Sequence, residues 1–162
     1  MHNLKELAQQ LAAALLQRRQ TLAVAESCTG GWVAKVLTDL PGSSQWFERG
    51  FVTYSNAAKQ DMLGVSAATL DAAGAVSEAT VREMAAGVLL HSPADLALAI
   101  SGIAGPGGAV PGKPVGTVCF AWATRTGQLQ VETRQFAGDR EAVRRQAVVH
   151  ALGRLVDVSG AG

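Results

Sequence analysis

A short apolar run, Thr21-Leu-Ala-Val-Ala-Glu26, sits between two stretches whose apolar residues recur at steps of three and four. A run of that length flanked by helical spacing is the signature of a buried strand joined to helices, the building unit of α/β folds. Before it, Leu4, Leu7, Leu11, Leu15 and Leu16 predict one face of an opening helix that runs to about Arg19. After it, Ser27-Cys-Thr-Gly-Gly31 supplies a turn, and Trp32, Val33, Val36, Leu37 and Leu40 resume helical spacing until Pro41-Gly42 stops it. The alternation then repeats. A strand is expected at about Gly50 to Tyr54, followed by Ser55-Asn56 as an N-cap pair and a helix carrying Lys59 and Met62. Ser77 with Glu78 opens a longer helix through Leu90, and Asp95 to Ser101 reads as another buried strand that ends in a glycine-rich loop. Val115 to Thr124 and Leu129 to Phe136, separated by Arg125-Thr-Gly-Gln128, read as a β-hairpin. Asp139 caps a final helix to about Val158, with Ser159 to Gly162 as a frayed tail. The pattern predicts a single-domain, three-layer α/β/α sandwich with a mixed β-sheet, one domain over 1–162 with its core at about 4–156.

A chain of 162 residues that is 48% hydrophobic buries a real core without a disulfide framework or a structural metal. Its 14 basic and 13 acidic residues are scattered, which supplies neither the basic stripe of a nucleic-acid binder nor a polybasic membrane anchor. Lys5, Glu6 and several glutamines interrupt Met1 to Arg19, so that stretch lacks the apolar core of a signal peptide, and no run reaches the roughly 20 apolar residues of a membrane span. Cys28 and Cys119 lie far apart, outside any zinc-ligand spacing. A reduced cytoplasmic protein is expected, with no metal, no cofactor, no nucleic acid and no membrane as partner.

Ser27 stands where a buried strand meets a helix start, beside backbone N–H groups that lack intrahelical partners. Amide hydrolysis needs such a place, because charge develops on the carbonyl oxygen and preorganised donors there are worth about 3 to 4 kcal/mol each. Serine at such a junction is also the ordinary N-cap residue, so local pattern alone leaves both roles open. A nucleophilic serine requires a base. His2 is at the terminus, His91 ends a helix and His150 lies within the last helix, and structural roles suit all three. Lys59 in Tyr54-Ser-Asn-Ala-Ala-Lys59 is the better candidate, about one turn into a helix that follows a strand end. A free lysine titrates at about 10.4, so this role demands burial strong enough to favour the neutral amine. A solvated helix lysine is the competing reading. Tyr54, the only tyrosine, is a candidate to relay a proton or orient Lys59.

Ser101-Gly-Ile-Ala-Gly-Pro-Gly-Gly108 lets backbone N–H groups approach an anion, although it fits neither a dinucleotide fingerprint nor a P-loop. In Gly138-Asp-Arg140, Asp139 can cap and Arg140 can bind an anion bidentately; Arg144 and Arg145 are weaker candidates for the same task. Cys28 is a rival nucleophile to its neighbour Ser27. Trp46 and Phe47, if exposed, are candidates to rim a pocket or make a subunit contact.

Taken together in order, Ala25-Glu-Ser-Cys-Thr-Gly-Gly31, Phe51-Val-Thr-Tyr-Ser-Asn56 with Lys59, Ser101 to Gly108, and Gly138-Asp-Arg140 closely resemble the competence-damage protein C-terminal (CinA C-terminal, PncC-type) family over roughly Leu4 to Val156. The chain is similar to the stand-alone form, without the family's separate N-terminal domain. The resemblance implies hydrolysis of nicotinamide mononucleotide (NMN) to nicotinic acid mononucleotide and ammonia, a step in pyridine nucleotide salvage and NAD metabolism. It implies Ser27 as nucleophile, Lys59 as general base and Tyr54 as assisting hydroxyl. It places Thr29, Gly30, Ser101, Gly102 and Arg140 around the substrate, and it implies a homo-oligomer. How Gly105 to Lys113 aligns with the family pattern is left open by its extra proline and glycine. A non-catalytic nucleotide-binding or regulatory module, and an amidase for a different amide, are the alternative readings.

Overall fold

The computed structural model describes residues 3–161, so His2 and Gly162 lie outside the described residues. Helix α1 spans Leu4–Arg18, with Asn3 as its N-cap accepting from the Lys5 amide. Strand β1 follows at Leu22–Glu26, then helix α2 at Trp32–Thr38, a short 3-10 turn at Ser43–Gln45, and strand β2 at Phe47–Val52. Helices α3 (Asn56–Leu63), α4 (Ala67–Ala73) and α5 (Glu78–Leu90) come next, each N-capped by a serine hydroxyl, from Ser55, Ser66 and Ser77. Strands β3 (Leu96–Gly102), β4 (Thr117–Thr124) and β5 (Leu129–Gln135) lead to helix α6 (Arg140–Ala161). Among the described residues no helix is long and apolar enough to cross a membrane.

The five strands form one sheet in the order β2-β1-β3-β4-β5. β1 pairs parallel with both β2 and β3, whereas β3-β4 and β4-β5 are antiparallel, which makes the sheet mixed. The central strands alternate by size rather than by polarity. Leu22, Val24, Leu96, Leu98, Ile100, Val118, Phe120 and Trp122 point to one face, where they pack with the apolar stripes of α1, α2 and α6. Ala23, Ala25, Ala97, Ala99, Ala121 and Ala123 point to the other, where they meet Met84, Ala85 and Val88 of α5. Both faces are covered, so an apolar residue at every strand position is buried, as the uninterrupted runs predict. The expected α/β/α sandwich is thus the observed one.

Several boundaries differ from expectation. β2 starts three residues before Gly50 and ends at Val52, because the parallel ladder to β1 runs from Leu22 opposite Phe47 to Glu26 opposite Val52. Tyr54 therefore lies beyond the strand. Helix α4 falls in a segment that showed no clear period; its Ser66 cap and the single buried Leu70 are all that mark it. Leu16 is 46% exposed, since it sits about 100° around the helix from Leu15 and leaves the buried stripe of Leu7, Leu11 and Leu15. Trp46 is fully buried in the core and Phe47 packs beside it, so neither is a free rim residue. The tail does not fray at Ser159: α6 continues to Ala161, and Ser159 is buried with its hydroxyl on the Val156 carbonyl.

One glycine inside a helix has a packing reason. A Cβ on Gly87 of α5 would lie 2.1 Å from the Leu63 carbonyl oxygen, so only glycine lets the end of α3 close onto α5. That approach brings Lys59 of α3 to the sheet edge.

Candidate active site

The carboxyl ends of β1, β2 and β3 lie side by side, the usual location for chemistry in sheets of this kind. Ser27 is the first residue past β1 and is only 7% exposed. Its amide donates to the Ile100 carbonyl at 3.0 Å, extending the β1-β3 ladder by one step and fixing where the side chain emerges. Lys59 reaches it from α3. The Lys59 Nζ lies 3.1 Å from Ser27 Oγ and 2.9 Å from the Thr53 carbonyl oxygen, and the residue is 1% exposed. Among the described residues it has no carboxylate partner. Burial therefore pulls its pKa below the ordinary 10.5, with only neighbouring Cys28 working against the shift.

Glu26, which strand periodicity does not single out as functional, organises the turn. Its buried carboxylate accepts from Thr29 Oγ1 at 2.7 Å and from the Val33 and Ala34 amides at 2.9 and 3.0 Å. It takes the place of a side-chain cap on α2, whose N-cap Gly31 has none to offer. The available signal was a lone charged residue closing an apolar strand. On the opposite side, Arg144 of α6 donates to the Cys28 and Thr29 carbonyls at 3.0 and 3.2 Å.

A cleft of about 290 Å³ opens beside these groups, lined among others by Ser27, Cys28, Tyr54, Lys59, Ser101, Gly102, Gly105, Gly108 and Arg140. Its far wall is the glycine-rich loop. Arg140 donates to the Gly105 carbonyl at 2.7 Å and to the Tyr54 hydroxyl at 2.9 Å, spanning the mouth. Gly102 has no room for a side chain, since a Cβ there would lie 2.7 Å from Val118 Cγ2 and 3.1 Å from Cys28 Sγ. A larger groove of about 630 Å³ between α1 and α6 is lined by Leu7, Phe136 and Val149 and holds none of these groups.

The chain matches the CinA C-terminal domain over residues 4–159. It belongs to the CinA C-terminal family. Its relatives include the nicotinamide-nucleotide amidohydrolase PncC of Escherichia coli K12, 58% identical over 94% of this chain and 92% of that protein. The Pseudomonas putida protein of the same name is 48% identical over 98% of both chains. A crystal structure of a CinA superfamily protein from Klebsiella pneumoniae superposes with a TM-score of 0.95 at 44% identity, covering 99% of this chain and 100% of that one.

Of the residues expected at the site, the fold gathers Ser27, Lys59, Tyr54, Ser101, Gly102 and Arg140 around one cleft. Thr29 and Gly30 are not among its lining residues: the Thr29 hydroxyl is committed to Glu26, and Gly30 faces Arg144. Tyr54 is 60% exposed and its hydroxyl is held by Arg140, not by Lys59. The Cys28 thiol is pushed up to about 12 by burial, against the pull of Arg144, and so stays protonated near neutral pH. His91 caps the end of α5, while His150 packs edge-on against Phe120 and Trp122 and pairs with Glu132. Neither lines the cleft. Arg145 lines the α1-α6 groove instead.

Proposed function

We propose that this chain is an NMN deamidase, hydrolysing the carboxamide of nicotinamide mononucleotide to nicotinic acid mononucleotide and ammonia. The observation that carries the reading is a lysine Nζ 3.1 Å from a serine hydroxyl, both nearly buried yet lining one cleft at the carboxyl ends of the strands. The amidohydrolase name of relatives 58% and 48% identical supports the substrate.

Lys59, held toward its neutral form by burial, takes the Ser27 proton as Ser27 Oγ attacks the carboxamide carbon. Cys28, next to the nucleophile, lines the cleft and its amide donates to no backbone acceptor among the described residues, which leaves it for the carbonyl oxygen as it becomes negative. The ammonium of Lys59 returns the proton to the departing nitrogen, and ammonia leaves. Water, deprotonated by Lys59, then attacks the acyl-enzyme, and Lys59 returns that proton to Ser27 Oγ as the carboxylate is released. A lysine base contributes about 10²- to 10⁴-fold. The cleft is small, so the pyridine ring with its amide goes in first and the phosphate stays near Arg140 and the glycine loop.

Ammonia release by wild type, Ser27→Ala and Cys28→Ala, with NMN and with free nicotinamide, tests the reading. Turnover of NMN by wild type and Cys28→Ala, with folded Ser27→Ala inactive, is the expected result. Preference for free nicotinamide would make it an amidase of another kind, and nucleotide binding without ammonia release would make it a binding module.

A further inference from the structure

In the turn after β1 most peptide groups are held by backbone partners. Ser27 N–H donates to Ile100, Gly30 N–H to Ser27 and Trp32 N–H to Thr29. The peptide joining Cys28 to Thr29 has no backbone partner. Among the described residues its carbonyl accepts only from Arg144 Nε, and its N–H donates to no protein atom. Arg144 comes from α6, is not among the cleft-lining residues, and is itself steadied by stacking 5.5 Å over the Trp32 ring. Its second nitrogen holds the next carbonyl, that of Thr29, so the fork fixes two consecutive peptides at once. From the other side, Glu26 ties down the Thr29 side chain.

We propose that Arg144 is a positioning residue for the hydrolysis: by holding the Cys28 and Thr29 carbonyls it fixes the turn that carries Ser27 Oγ to the cleft and to Lys59. Arg144 touches neither substrate nor Ser27. This inference rests on the amidohydrolase reading for its substrate, though not for its geometry.

The test compares wild type, Arg144→Ala, Arg144→Lys and Arg145→Ala, the last a control on the same helix. Two rates are read on each: ammonia release from NMN, and modification of Ser27 by an alkyl fluorophosphonate followed by mass spectrometry. Misplacing a reacting group by about 1 Å costs about a hundredfold, so loosening this turn is expected to cost about tenfold to a hundredfold in kcat. Arg144→Ala should show that loss in kcat with KM nearly unchanged, a similar slowing of phosphonylation, and partial recovery with millimolar guanidinium ion. Arg144→Lys should fall between it and wild type. The proposal is overturned if folded Arg144→Ala keeps wild-type kcat, if the loss lies only in KM, or if Arg145→Ala loses as much. Should wild type release no ammonia, the deamidase reading fails, and the phosphonylation rates alone decide whether Arg144 positions the turn.

Discussion

Replacing Lys59 by methionine separates the base from the scaffold that holds it. Methionine fills a similar unbranched volume, so the packing of α3 against α5 should survive. Two hydrogen bonds are lost, to Ser27 Oγ and to the Thr53 carbonyl. The Ser27 hydroxyl lines the cleft and can turn to water, whereas Thr53 is fully buried, and an unmet buried carbonyl costs about 1–3 kcal/mol. Against that loss, the variant no longer buries an ammonium. Stability near pH 7 should therefore change by no more than about 2 kcal/mol, while ammonia release falls about 10²- to 10⁴-fold. The pH dependence carries the sharper signature. Because the folded-state pKa of Lys59 lies below 10.5, the unfolded chain holds a proton that the folded chain has released between those two values. Wild-type stability should rise with pH through that window, by up to about 1.4 kcal/mol per pH unit, and the full cost of the buried charge should be present below it. Urea unfolding of both proteins from about pH 6 to pH 10, after subtraction, should show this slope in wild type and not in the variant. Parallel stability curves, or a variant retaining a tenth of the wild-type rate, would refute the assignment of Lys59 as a buried neutral base.

The same titration predicts that wild-type kcat/KM rises with pH on a single limb whose midpoint lies below 10.5, measured by ammonia release. Tyr54→Phe breaks the bridge to Arg140 at the mouth and leaves the Ser27-Lys59 contact alone, so KM for NMN should rise severalfold with kcat within about threefold. A large fall in kcat instead would support Tyr54 as the assisting hydroxyl in proton transfer. Glu26→Gln puts an amide N–H against one of three donors, from Thr29, Val33 and Ala34, and should cost about 1–3 kcal/mol in urea unfolding. Gly102→Ala drives a Cβ into Val118 and Cys28; overpacking of this kind costs about 1–3 kcal/mol, and the rate should fall because Cys28 adjoins Ser27.

Much of the architecture was readable along the chain. β1 and β3 are buried on both faces, so their apolar runs carried their identity, and the serine caps of α3 and α5 marked those helices to within a residue. The edge strand β2 was less legible, because its exposed and half-buried residues show no clean period and its start is set by the ladder to β1. The same contrast holds at the site. Ser27, Lys59, Ser101 and Arg140 could be named from motifs, and the tertiary structure brings them around one cleft.

Residue types and their spacing determined the α/β class, the strand-to-turn setting of Ser27 and a lysine one turn into a helix, since these depend on contacts a few residues apart. What the tertiary structure alone decided depends on groups far apart in the chain. The burial that favours neutral Lys59 requires α3 to close over the sheet edge through Gly87. The roles of Glu26 and Arg144 differ because one carboxylate faces the start of α2 while one guanidinium reaches across from α6. Desolvation and hydrogen-bond direction are properties of a folded surface, and no local pattern encodes them.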